Sequence, residues 1–363
     1  MDELKIDSHK LQYHPKRVSQ FLDASGNPEK LKKIFPIYVE ISPVGACNHR
    51  CTFCSVDYIG YKPVLLSLEH LKEVADDFKK NDVKSVMFAG EGEPFVHKKI
   101  TEVVEYFGKN SIDVSFTTNG TVIPEKFYGE ALDYVSWIKV SVNGGEHSYQ
   151  LIHGSKDNDF EKVFQNLRRL SDERDKRNLA LKVGVQMVLL PQNSDEVLPL
   201  AKKVKSSGCN YFVVKPFSQH KSSINRDFEK LDYTQFMDLE KSLEALNDEN
   251  FTVVFRSNAM SKKGEEAPAY TKCYSTPNFW AYIMASGDVY SCSAYLLDER
   301  FKLGNIGEKS FADIWQSEER ATHCRFMANE LDIKECRENC RMDEVNRYLS
   351  NLVNDDVDHV NFI

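Results

Sequence analysis

A repeating rhythm constrains this chain more than any single residue does. Six short runs rich in β-branched and aromatic residues recur along it: IYVEIS (37–42), KSVMFA (84–89), IDVSFTT (112–118), VSWIKVSV (135–142), LKVGVQMVLL (181–190) and NYFVVKPF (210–217). Bounded apolar runs of this length read as strands buried on both faces. Between them lie stretches such as LSLEHLKEVADDFKKN, HKKITEVVEYFGKN, DFEKVFQNLRRLSDERD and DEVLPLAKKVKSSG, with apolar residues at helical spacing. Strand and helix alternating in this way make six βα units and a parallel sheet, either a partial barrel or a doubly wound sheet. Function is then expected at the C-terminal ends of the strands, where the loops gather.

Bulk properties narrow the classes. With 363 residues, 41% of them hydrophobic, the chain exceeds the size at which single cores stop growing, so one large domain with a smaller appendage is expected. Lys and Arg number 47 against 55 Asp and Glu, a net charge of −8 that argues against nucleic acid as a partner. The polar, acidic start MDELKIDSHK is unlike a signal peptide, and no run of 18 apolar residues suggests a membrane span. The reading is a cytoplasmic protein.

In a reducing cytoplasm nine cysteines point to metal ligands or redox groups more than to a disulfide framework. Cys47, Cys51 and Cys54 form C-x3-C-x2-C in the loop after the first strand, while Cys273, Cys292, Cys324, Cys336 and Cys340 lie late in the chain. Cys209 stands apart, as a small buried residue at a strand start. Three thiolates holding a four-iron cluster leave one iron with an open position, which invites a chelating cofactor. The plain alternative is zinc with His49 or a distant residue as fourth ligand, although structural zinc motifs usually present two paired halves.

The C-x3-C-x2-C spacing, with Phe53 before the last cysteine, resembles the signature of the radical S-adenosylmethionine (radical SAM) enzymes. Other landmarks of that family follow in order. AGEGEPFVH resembles its glycine-rich turn, with Gly90, Gly92 and Glu93 in place and Glu91 as an added carboxylate. TTNGT offers Thr118 and Asn119, SVNGG offers Ser141, and Gln186 lies on the fifth strand. Each alone would read as a cap or turn residue. The resemblance implies a partial (β/α)6 TIM-type barrel in which Cys47, Cys51 and Cys54 hold a four-iron cluster that chelates S-adenosylmethionine. It further implies that Phe53, Gly90, Gly92, Glu93, Asn119, Ser141 and Gln186 lie around that cofactor, and that a reduced flavodoxin or ferredoxin supplies electrons.

The late cysteines resemble the family's C-terminal SPASM or twitch extension, which carries auxiliary iron–sulfur clusters. Gly287 sits in a hairpin turn between Cys273 and Cys292, and Cys336 and Cys340 follow as C-x3-C. Five cysteines suffice for one auxiliary cluster, assigned to Cys273, Cys292, Cys336 and Cys340 with Cys324 spare; a four-cysteine zinc site is the alternative. The expected boundaries are 1–35 for a capping segment, 36–258 for the barrel, 259–352 for the auxiliary domain and 353–363 for a tail.

By the resemblance, a 5′-deoxyadenosyl radical removes hydrogen from a substrate carbon, and the auxiliary cluster takes a second electron. The short segment before the first strand, where peptide-maturing members often carry a leader-binding domain, favours a small molecule such as a sugar, cyclitol or nucleotide-linked metabolite. Alternatives are a peptide maturase forming thioether or carbon–carbon bonds, and a non-catalytic metal or electron carrier. Tyr211, Lys215 and His220 are placed near the end of the sixth strand, without an assigned role.

Overall fold

The computed structural model describes residues 5–24, 27–262 and 268–354, with 358, 359 and 361. All six expected strands are present: β1 (Tyr38–Ile41), β2 (Ser85–Phe88), β3 (Asp113–Thr118), β4 (Val135–Ser141), β5 (Lys182–Leu189) and β6 (Tyr211–Pro216). Four more follow: β7 (Thr252–Phe255), β8 (Trp280–Ile283), β9 (Asp288–Tyr290) and β10 (Lys302–Asn305). They form one sheet in the order β10-β9-β8-β1-β2-β3-β4-β5-β6-β7.

Strands β1 to β7 are parallel in sequence order and β8 joins them on the far side of β1, so the sheet has two parallel strands more than the six βα units expected. The run TVVF carries the signal for β7. On the other edge, β8 pairs parallel with β1, from Tyr38 opposite Trp280 to Ile41 opposite Ile283, and then turns back through β9 and β10 as antiparallel strands. The C-terminal region is therefore hydrogen-bonded into the barrel sheet. The β8–β9 turn closes as expected, with Gly287 at φ 88°, a conformation glycine adopts without strain.

The helices form as their sequences dictate. The Ser67 hydroxyl accepts from the His70 N–H and caps Leu68–Lys80, which buries Leu71, Val74, Ala75 and Phe78. Burial of each large apolar side chain contributes about 1.5–3 kcal/mol. Facing them, Val39, Ile41, Val86, Phe88, Val114, Phe116, Ile138 and Val140 complete the outer core.

The inner face differs from the sequence expectation. Glu40, Met87, Thr117, Lys139, Gln186 and Lys215, one from each of β1 to β6, line a single cavity. Six consecutive strands can reach one cavity only if the sheet curls around it, as in a partial barrel. The strands are thus apolar on one face and largely polar on the other, where a chamber replaces the packed side-chain layers of a closed barrel.

The N-terminal helix Pro15–Ala24 buries Val18 and Phe21 beside Phe279 and Leu349, joining the two ends of the chain. The expected tail at 353–363 lies largely outside the described residues.

Candidate active site

The loop that leaves β1 carries Cys47, Cys51 and Cys54, and its backbone is fastened to neighbouring loops. Arg50 N donates to His153 O at 3.0 Å and Thr52 N to Ile152 O at 2.9 Å, while Glu93 N donates to Ala46 O at 2.9 Å. Asp57 accepts from Ile224 N at 2.9 Å and Asn225 N at 3.1 Å, tying the loop to the connection after β6. The three thiols lie within electrostatic reach of one another, and burial pushes all of them up, Cys47 to about 11. Binding to a cationic metal centre would offset that cost, because the ligating form is the thiolate.

The turn after β2 packs against this loop. Gly90 has φ 110°, and at Gly92 a Cβ would lie 2.1 Å from Val44 O, so both glycines are required by the backbone. Glu93 is buried and accepts from Thr118 Oγ1 at 2.6 Å, Asn119 N at 2.7 Å and Phe95 N at 3.2 Å. Burial still raises its carboxyl to about 7. Asn119 Nδ2 donates to Asn48 Oδ1 at 2.7 Å, so the β3 end is joined to the cysteine loop. Glu91, which had no role in the sequence, accepts from Ala285 N at 2.6 Å and couples this turn to the β8–β9 hairpin.

His153 decides which metal chemistry fits. Among the described residues, His49, Cys51 and His153 are the one group of three ligating side chains with donor atoms all within 4.8 Å. His153 Nε2 accepts from Asn143 N at 2.9 Å, so its proton sits on Nδ1, which points at Cys51 Sγ 3.6 Å away. A protonated Nδ1 cannot ligate, and His49 is turned towards Asp159 Oδ2 at 3.4 Å. That arrangement argues against a zinc ion in this trio. Nor do the three loop thiols form such a compact group. One tetrahedral zinc would draw them to about 3.8 Å apart, given Zn–S bonds of about 2.3 Å. Wider spacing suits ligands that hold separate irons of one cluster.

The late cysteines are also gathered. Every pair among Cys273, Cys292, Cys336 and Cys340 is within electrostatic reach. Burial raises Cys292 well above its usual range and Cys336 to about 12. Asn346 Nδ2 donates to Cys273 Sγ at 3.5 Å, and the Tyr295 hydroxyl lies 3.7 Å from Cys336 Sγ. Cys324 lies apart on the helix Glu318–Asn329, with Arg320 and Arg325 as its charged neighbours.

The Radical SAM superfamily model matches residues 41–204, and the model of an iron-sulfur cluster-binding domain, SPASM, matches 273–341. The chain is a radical SAM enzyme with a C-terminal SPASM extension. It is 24% identical over 294 residues to the antilisterial bacteriocin subtilosin biosynthesis protein AlbA of Bacillus subtilis, covering 78% of this chain and 60% of AlbA. It is 23% identical to the tungsten-containing aldehyde ferredoxin oxidoreductase cofactor-modifying protein of Pyrococcus furiosus, covering 83% of this chain and 85% of that one. Among solved structures, SuiB of Streptococcus suis bound to S-adenosylmethionine superposes with a TM-score of 0.66 at 18% identity, covering 87% of this chain and 72% of SuiB. SuiB has also been solved bound to its precursor peptide SuiA.

Radical SAM chemistry brings four-iron clusters and S-adenosylmethionine to this fold. Two adjoining cavities lie beside the two thiol groups. One of about 320 Å³ is lined by Cys47, Cys51, Phe53, Cys54, Gly90, Gly92, Glu93, Asn119, Ser141 and Gln186. A second, of about 620 Å³, is lined by Cys336 and Cys340. Both share Met87, Lys139, Gln186, Lys215, Arg337 and Arg341, so they form one chamber between the two thiol groups. Arg341 Nη1 donates to the buried Glu40 Oε2 of β1 and fastens the SPASM loop to the barrel.

Every residue expected around S-adenosylmethionine thus lines one cavity. Phe53 packs beside Val188 and Phe217, with its ring 6.1 Å from that of His153. Gln186 lines both cavities. Tyr211 begins β6 and is buried at its N-terminal end, so it does not reach the mouth. His220 is buried against Tyr58, with ring centroids 5.0 Å apart. Sequence reasoning missed His153, Asn48, Lys139 and the Glu40–Arg341 pair, since no local motif announces them.

Proposed function

We propose that this radical SAM enzyme removes a hydrogen atom from a side-chain carbon of a peptide. In this reading Cys47, Cys51 and Cys54 hold the open four-iron cluster, and Cys273, Cys292, Cys336 and Cys340 hold the auxiliary one. The observation that carries it is the chamber lying between the two thiol groups, which reaches the surface at the exposed Lys334 and Glu338. The small-molecule preference gives way, because AlbA is a bacteriocin biosynthesis protein and SuiB binds a precursor peptide.

When bound, the open cluster and S-adenosylmethionine supply one-electron cleavage to a 5′-deoxyadenosyl radical. The chain's own part is positional. Gly90 and Gly92 let backbone approach the cofactor closely, while Asn119, Ser141 and Gln186 offer polar contacts at the strand ends. Phe53 and Val188 keep one wall of the cavity apolar, which helps exclude water from the site. His153 Nδ1–H orients the Cys51 sulfur. A reduced flavodoxin or ferredoxin is the proposed electron source.

The test is anaerobic reconstitution followed by dithionite and S-adenosylmethionine, with 5′-deoxyadenosine as product. Joint substitution of Cys47, Cys51 and Cys54 by alanine should abolish that product while leaving about four irons in the SPASM site. Incubation with peptide and sugar-nucleotide panels should give hydrogen loss on a peptide. Modification confined to the sugar nucleotides would overturn the peptide reading, and cleavage surviving the triple substitution would overturn the cluster assignment.

A further inference from the structure

Most charged side chains around the chamber are matched. Arg256 Nε donates to Asp7 Oδ1 at 2.8 Å, Lys262 Nζ to Asp343 Oδ2 at 3.1 Å, and Arg341 to Glu40. Arg337, between two SPASM thiols, lies within electrostatic reach of Cys340 and Cys292. Lys139 on β4 and Lys215 on β6 differ. Neither has an ion pair or a side-chain hydrogen bond among the described residues; the Lys139 ammonium lies 5.4 Å from the Trp137 ring centroid with Glu40 within electrostatic reach, and Lys215 has only cations within such reach.

Both lysines line both cavities, on the strands either side of β5, Lys139 opposite Gly184 and Lys215 opposite Val188. Both are half-buried. Burial lowers each ammonium, Lys139 to about 8; Arg341 and Arg256 lower Lys139 further against the opposing pull of Glu40, and Lys139, Arg256, Arg337 and Arg341 lower Lys215 further. Two amines without ion pairs, sharing one partly buried space within electrostatic reach, repel each other, and a ligand anion placed between them would reverse the sign of that interaction.

We propose that Lys139 and Lys215 form an anion-binding subsite on the inner wall of the barrel, taking a carboxylate or phosphate of the substrate and holding the neighbouring carbon between the two cluster sites. The inference rests on reading the chamber as the substrate chamber. Two sources share that chemistry, an acidic peptide side chain and a phosphorylated small molecule, and the first follows from the peptide reading.

Calorimetric titration of the cluster-reconstituted protein with S-adenosylmethionine present separates them. The probes are a blocked five-residue peptide with a central glutamate, its glutamine twin, and pyrophosphate. The glutamate peptide should bind more tightly than its twin. That preference should fall by about tenfold to a hundredfold in Lys139→Gln and Lys215→Gln, as expected for losing one hydrogen bond to a charged group. It should survive in Lys139→Arg and Lys215→Arg, with cluster absorbance reporting intact protein. Pyrophosphate binding with the same dependence would support the subsite and favour the phosphorylated source. Equal binding of the two peptides without pyrophosphate binding, or a charge preference that survives the double glutamine variant, would overturn it. Charge-selective binding by a protein that never cleaves S-adenosylmethionine would keep the subsite and sink the enzymatic reading; cleavage without such selectivity would do the reverse.

Discussion

Alanine at Gly92 would place one methyl group where two backbone carbonyls already stand. Its carbon would lie 2.1 Å from Val44 O and 2.6 Å from Ala46 O. Carbon–oxygen contacts normally begin at about 3.3 Å, so the backbone must retreat by about 1 Å. No flexible side chain can absorb the shift, because both obstacles belong to the main chain leading into Cys47. Ala46 O also accepts from Glu93 N at 2.9 Å, so the same movement strains that bond. Overpacking costs about 1–3 kcal/mol and a lost hydrogen bond about 1 kcal/mol more, giving about 2–4 kcal/mol. The displaced loop should bind its iron poorly while the SPASM thiols, held by other elements, keep theirs. Iron and sulfide counts on anaerobically reconstituted Gly92→Ala, with urea unfolding of the same preparation, read both effects. Full iron with an unchanged unfolding midpoint would refute the account of how this loop is positioned.

Replacing His153 by phenylalanine removes the N–H aimed at Cys51 and should lower the reduction potential of the loop cluster, since such donors favour the reduced, more negative state; about 1 kcal/mol of lost stabilisation corresponds to about 40 mV for one electron. An unchanged potential in an EPR-monitored redox titration would show that the contact does not act on the cluster. Lys139→Met should raise stability at pH 7 by about 1 kcal/mol after allowance for solvent screening. In the unaltered protein the ammonium, lowered to about 8 from 10.5, is charged in both states below pH 8, so its burial cost is felt in full there. Between about pH 8 and 10.5 the folded chain releases the proton first, so the part of stability that Lys139 controls should climb with pH, and Lys139→Met should flatten that climb in denaturant titrations. Glu91→Ala should strand the Ala285 N–H, cost about 1–3 kcal/mol and speed amide exchange at 284–287, the turn it anchors; unchanged exchange would contradict that role.

Much of the fold was legible because it is written in local periodicity. Six strands and the helices between them follow from alternating apolar runs, and β7 was overlooked because TVVF is short and follows a polar stretch. The inner face was harder. Glu40, Lys139 and Lys215 interrupt otherwise apolar strands, and reading those strands as buried on both sides concealed the chamber they line.

By itself the sequence determined which thiols sit close along the chain and which glycines a backbone turn would require, since C-x3-C-x2-C and GEGEP are local patterns whose geometry is set within a few residues. Only tertiary structure could decide that Glu91 grips a hairpin 194 residues away, that His153 aims its proton at Cys51, and that Arg341 reaches back to Glu40. Each of those contacts joins segments that approach only after the sheet has curled, so no spacing along the chain encodes them.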